Sequence, residues 1–437
     1  MMTTLAWSNV RTNPAAYAAT FTTILLAVTL VGSSGLLIAG VSDGGELEAV
    51  GALVGTSAVI SAFVSVFVVS GMLSLHVMRQ RRAWGLLRSV GLTPRQVRLL
   101  VTVEALVVAA AASAVGCALA VPYAHGVAAV LRRVGFAPTD IPVAITPVPF
   151  IVASAVGMVA TLAASRIAAR KAVRSGPLEV LRDSAAEQRI LPWPRALVGT
   201  AALAGGVVLL DLASRQTEGG GAMEIILGAV MALCVAASAL GTVVVRALGY
   251  LLAAPVAWLD PAAGMLARAS LATQPRRAAS VASPVMLTVA LMGTFVFAAA
   301  TTQTAAGQAT MEVGEWIAPA LVGSTALYTV ISVLNATAMS MSARAQELRL
   351  LRSVGIGPAQ LTRALVWESL ITVAVGALLG TAIAAAGLLT LGRVLTGRLW
   401  FDYSAPQYLG LLAVCTAAGL IGALVSTRKA RRGPLVG

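Results

Sequence analysis

The sequence predicts an all-α polytopic membrane protein, with about ten transmembrane helices arranged as two parallel four-helix repeats joined by a two-helix linker. Three observations predict it. Hydrophobic residues fill 58% of the 437 positions and charged residues only 11%, against roughly 25% charged in a soluble domain. Such a chain cannot clothe itself in a water-compatible surface. Apolar runs of the length a bilayer crossing needs, about 20 residues, recur from one end to the other. The hexapeptide LLRSVG also occurs twice, as Leu86–Gly91 and as Leu350–Gly355.

Ten segments qualify as spans in chain order: Tyr17–Ile38, Gly51–Val77, Leu99–Val121, Pro149–Ala168, Ala196–Leu212, Met223–Val245, Val281–Thr302, Trp316–Met341, Leu365–Leu391 and Tyr408–Ser426. The fifth is short. Ala247–Leu259 is apolar but too brief to cross unaided, and it either extends the sixth span or lies along the interface. The outer loops are brief, and the longest, Pro122–Pro147, has room for one amphipathic surface helix around His125–Phe136. Met1–Asn13 is mixed polar and lacks the layout of a signal peptide.

A net charge of +14 can signal a nucleic-acid partner. Here the basic residues gather between the apolar runs, where the positive-inside rule places them. With the N-terminus inside, 26 of the 31 basic residues fall on inner segments and five on outer ones: Arg132, Arg133, Arg215, Arg393 and Arg398. That asymmetry predicts cytoplasmic N- and C-termini and no nucleic-acid role. Cys117, Cys234 and Cys415 lie inside apolar runs and cannot form an exposed disulfide framework. His76 and His125 have no second ligand at metal-binding spacing, so no metal site is expected.

The repeat extends beyond the hexapeptide. At a constant offset of 264, Arg88 pairs with Arg352, Gly91 with Gly355, Pro94 with Pro358, Gln96 with Gln360 and Glu104 with Glu368. Pro14 pairs with Pro275, and RKAVRSGPL at Arg170–Leu178 resembles RKARRGPL at Arg428–Leu435. The predicted organisation is a four-span half over 1–185, a two-span linker over 186–261 and a second four-span half over 262–437. Both halves begin inside, so the repeats are parallel, unlike the inverted repeats common in secondary transporters.

Within each copy a basic amphipathic stretch precedes a break at Gly91 or Gly355. Thr93 then precedes Pro94 as an N-cap ahead of proline at the first helical position, and Gly357 stands before Pro358. Topology alone needs positive charge somewhere, not this pattern twice. Glu104 and Glu368 each fall about a turn inside the inner end of a span, where burying a carboxylate is costly. Arg88 and Arg352 are candidate partners for them. Gly376 and Gly380 form a GxxxG pair, the spacing that lets helices approach closely.

These residues resemble the FtsX-like permease family, the membrane subunits of MacB-type ABC transporters. The hallmark E-L-x-x-L-R-x-x-G, followed by glutamine and a glutamate entering the next span, is met by Glu347, Leu348, Leu351, Arg352, Gly355, Gln360 and Glu368. The first copy matches at Leu87, Arg88, Gly91, Gln96 and Glu104, with Ala83 where the family usually has glutamate. The ten-span layout is similar to bacitracin exporters without their large outer domain between the seventh and eighth spans.

The resemblance implies a bacterial plasma-membrane permease for export of an amphipathic peptide, antibiotic or lipid-like substrate. It also implies a cytoplasmic ABC ATPase dimer that holds the ATP and Mg and contacts Leu87, Arg88, Gly91 and Pro94 in one copy. In the other copy the contacts would be Glu347, Leu351, Arg352, Gly355 and Pro358. This chain carries no GxxxxGK[ST] phosphate loop, so no enzymatic activity or cofactor of its own is expected. The residues alone leave two other classes open, an ion-coupled secondary transporter and a non-transporting signalling or lipoprotein-release subunit.

Overall fold

The computed structural model describes residues 14–41, 51, 54–71, 73, 93–133, 143–174, 193–216, 219–305, 333–334 and 357–432. Among them there is no strand, and every extended element is an α-helix. The helices are α1 (Pro14–Val41), α2 (Val54–Gly71), α3 (Pro94–Arg133), α4 (Pro147–Arg174) and α5 (Trp193–Ser214). They continue with α6 (Gly219–Leu259), α7 (Pro261–Thr273), α8 (Pro275–Ala305), α9 (Pro358–Thr396) and α10 (Ala405–Arg432).

Proline punctuates this order. Six of these helices begin on one, at positions 14, 94, 147, 261, 275 and 358. The first helical residue has no intrahelical acceptor for its N–H, and proline's fixed φ suits that place, so each helix starts sharply.

Nine of the expected spans fall on described helices, all but α7, that are long and apolar enough to cross a membrane. The eighth, Trp316–Met341, lies almost wholly outside the described residues. The short fifth span is a 22-residue helix. Two expectations change. His125–Arg133 is no separate surface helix, because α3 runs unbroken through Pro122 to Arg133. In an apolar setting the alternative to a helix is an unpaired backbone, so an internal proline is tolerated. Ala247–Leu259 extends the sixth span, making α6 a single helix of 41 residues. The short helix α7 matches no expected element.

Among the described residues the chain divides into two compact units, residues 14–174 and residues 193–432. In the first, α1, α3 and α4 pack through small residues. A Cβ built on Gly116 would lie 2.9 Å from the Leu25 carbonyl oxygen and 3.0 Å from Val28 Cβ, and Gly32 faces Ala120. Leu73, just past α2, joins Ala105 of α3 and Ala164 of α4 in a buried cluster.

In the second unit, α8 and α9 approach through the GxxxG pair. A Cβ on Gly376 would stand 2.6 Å from the Ala282 carbonyl oxygen, and Gly293 faces Ala384. Gly380 faces Met286 and Val289, the counterparts of Leu25 and Val28 under the offset that pairs Pro14 with Pro275. The same two approaches therefore occur once in each unit. α5 lies antiparallel on α6, with Gly199 against Leu240 and Gly206 against Leu233. α10 packs on α8 and α9 through Cys415 and Ala418, which share a cluster with Val285, Val289 and Val373.

Candidate coupling site

The repeated motif delivers two helix starts, each beginning on proline and each with glutamine two residues later. At the first, Thr93 caps α3 as its sequence predicts. The Thr93 backbone N–H and hydroxyl both donate to Gln96 Oε1, at 2.9 and 3.0 Å, and the Gln96 N–H donates to Thr93 Oγ1 at 3.4 Å. This is the reciprocal capping box, with two otherwise orphaned N–H groups satisfied. At the second start glycine has no side chain to offer, and only half the arrangement survives: the Gly357 N–H donates to Gln360 Oε1 at 3.4 Å. The recurring glutamine thus has a local structural reason in both copies.

Ten residues along each helix, about 15 Å from its start, sits the acidic residue. Glu104 is 3% exposed and Glu368 9%. The Tyr17 hydroxyl of α1 donates to Glu104 Oε2 at 3.0 Å, joining α1 to α3 in the buried interior. Ala105, the chain neighbour of Glu104, is buried with Leu73 and Ala164. Sequence reasoning offered Arg88, which lies outside the described residues, as a candidate partner for this carboxylate and did not foresee the tyrosine. The only signal for it was a polar aromatic near the start of the first span.

In the second unit Ala278 occupies the position matching Tyr17 under that offset, and Glu368 lies beside a different core. Val245, Ala278, Ala279 and Ile371 close together there, continuing into Leu271 of α7.

The start of α9 is held from the side. Asp260 caps α7, its Oδ1 accepting from the Ala263 N–H at 3.2 Å. The other carboxylate oxygen lies 3.3 Å from Nη1 of Arg363. The pair is partly exposed, so its energy is small, but it fixes where α9 begins relative to the junction of α6 and α7. Its counterpart in the first copy is Leu99, an exposed apolar side chain.

Of the other residues proposed for coupling, Pro94 and Pro358 are the first residues of α3 and α9. Leu87, Arg88, Gly91, Glu347, Leu351, Arg352 and Gly355 lie outside the described residues.

A chain whose described helices include nine able to cross a bilayer is a multi-pass membrane protein. The FtsX-like permease C-terminal model matches residues 55–177 and 320–435, more than half of the chain, and the two matched stretches contain the two copies of the motif. The chain belongs to the FtsX-like permease family. No curated protein matches it.

Proposed function

We propose that this chain is the permease subunit of an ABC transporter in a bacterial plasma membrane, exporting an amphipathic peptide, antibiotic or lipid-like molecule. A separate cytoplasmic ATPase dimer binds ATP and Mg and presses on two basic segments of this chain, ahead of Pro94 and Pro358. Both termini are cytoplasmic on this reading, and the two motif-bearing halves are parallel copies of one four-helix design.

One observation carries the reading. The register Arg, Gly, Pro, Gln, Glu recurs residue for residue, at 88, 91, 94, 96 and 104 and at 352, 355, 358, 360 and 368, in a member of a permease family. The close approach of Gly32 to Ala120, repeated by Gly293 and Ala384, supports a duplicated bundle.

Physically, each basic segment leads into a helix that starts abruptly at proline, so a displacement there is passed on rather than absorbed by fraying. α3 hands it to α1 through Tyr17 and Glu104. α9 hands it to α8 through Gly376 and Gly380, and to the α6–α7 junction through Arg363. Movement of the two halves then reshapes the two bundles, with the substrate's apolar part remaining in lipid.

The test is Arg352→Glu in a reconstituted pair with the ATPase encoded beside it or recovered with it. The variant should insert and melt normally but lose substrate-stimulated ATP hydrolysis. Undiminished stimulation, or substrate flux without any ATPase under a proton gradient, refutes the reading.

A further inference from the structure

The 41 residues of α6 span about 60 Å, twice the roughly 30 Å of bilayer hydrocarbon. Even at the steepest usual tilt, about 40°, some 26 residues fill the hydrocarbon. Several turns must therefore lie in the headgroup layer. Neighbouring contacts show which turns these are. Arg195, near the start of α5, donates to the Ser238 carbonyl at 3.0 Å, and Gly241 meets Ala279, a turn into α8. The part of α6 past Arg246 thus extends beyond the starts of α5 and α8, and α7 folds back along it, with Leu271 against Gly249.

A surface bathed in water would be polar here. Instead Leu251, Leu259 and Met265 stand exposed, and Trp258 is 91% exposed. Tryptophan and tyrosine favour the headgroup boundary of a membrane, where a ring can be half wet.

Within this apolar surface lies a cation with no paired anion among the described residues. Arg268 of α7 stacks its guanidinium 3.6 Å from the centre of the Tyr250 ring on α6. Its Nε is buried with no hydrogen-bond partner, and no carboxylate pairs with it among the described residues. The nearby Asp260 is engaged by Arg363 and by the α7 N-terminus. Arg246, exposed and one turn from Tyr250 on the same face of α6, supplies a second positive charge. An unpaired guanidinium is costly to bury, and its terminal nitrogens match phosphate oxygens.

We propose that Arg268, with Arg246 and the Tyr250 ring, binds the phosphate of an anionic phospholipid in the leaflet at the basic end of the second unit. The stacking holds the guanidinium flat and leaves its edge for the phosphate, while the neighbouring apolar surface rests among the lipids. The assignment does not depend on any ATPase partner.

Native mass spectrometry of the full chain in mild detergent tests it, with titration of phosphatidylglycerol, phosphatidylcholine and inorganic phosphate in separate arms. Phosphatidylglycerol should bind wild type, and Arg268→Gln should weaken that binding about tenfold, as loss of a charge-assisted phosphate contact does. Arg268→Lys should fall between, since it keeps the charge but loses the fork and the stacking. Arg246→Gln, at an exposed position where folding is not at stake, should weaken it in the same direction by less. Equal phosphatidylglycerol affinity in Arg268→Gln overturns the site. Phosphatidylcholine binding as well as phosphatidylglycerol removes its charge selectivity, and inorganic phosphate binding equally well makes it a free-anion site; either result overturns the lipid assignment.

Discussion

The contact between α8 and α9 supports a quantitative prediction at Gly380. A methyl group added there would lie 2.7 Å from the Met286 carbonyl oxygen, 2.7 Å from Val289 Cβ and 3.1 Å from the Ala290 nitrogen. Two of these three are backbone atoms, which no rotamer change can move. Ordinary carbon contacts lie at about 3.5–4.0 Å, so the helices must part by about 1 Å. Overpacking of this kind costs about 1–3 kcal/mol, against which alanine returns up to about 1 kcal/mol of helix propensity. The net loss for Gly380→Ala is about 1–2 kcal/mol, a fall in melting midpoint of roughly 2–8 °C for a unit this size.

Unfolding can be followed with a thiol-reactive fluorogenic dye, because Cys234 and Cys415 are both buried in the second unit. Gly410→Ala is the control: nothing lies within 4 Å of its added methyl group, so it should melt at or above wild type. If Gly380→Ala melts with or above that control, the two helices are not in backbone contact and the packing argument fails.

Tyr17→Phe removes the hydroxyl donor on buried Glu104 and should cost about 1–3 kcal/mol in a melt read at Cys117, the half-buried thiol of the first unit. Adding Glu104→Gln should recover part of the loss, since a neutral amide is cheaper to bury; a Tyr17→Phe variant as stable as wild type would contradict the pairing. At the α7 cap, Asp260→Asn keeps the acceptor and loses only the exposed ion pair, whereas Asp260→Ala loses both, about 1 kcal/mol more. Amide exchange over Pro261–Thr273 separates them, and identical protection in the two variants would mean that the cap does not hold the helix.

Much of this architecture is legible in the residues because membrane crossing imposes a length and a composition on each helix. The proline-led starts of α3 and α9 are legible too, as proline and its preceding cap act locally. The GxxxG pair of α9 is where α8 approaches, as its spacing suggests.

What escaped reading depends on neighbours. α7 is a 13-residue run of small side chains, too short and mixed to announce itself, and it is stable because Ala267 and Leu271 enter a core built by α6, α8 and α9. The extension of α6 past Arg246 was open because one arginine neither continues nor breaks a helix. The contact between Tyr17 and Glu104 depends on the register of α1 against α3, which no local pattern encodes.

The helix α9 contains no proline after its first residue, unlike α3, α6 and α8, which carry Pro122, Pro255 and Pro284. Its 39 residues make an unhinged rod about 58 Å long, from the basic end to the left-handed glycine cap at Gly397. Such a rod amplifies geometrically. Pivoting by about 5° around one end sweeps the other through roughly 5 Å, about one helical pitch. Beyond Gly397 the chain turns back so tightly that Gly392 leaves no room for a side chain beneath Trp400, and Asp402 accepts a hydrogen bond from Thr304 of α8. The far tip is therefore gripped by α8, and a swing starting at one surface would be read out at the other as strain on that grip.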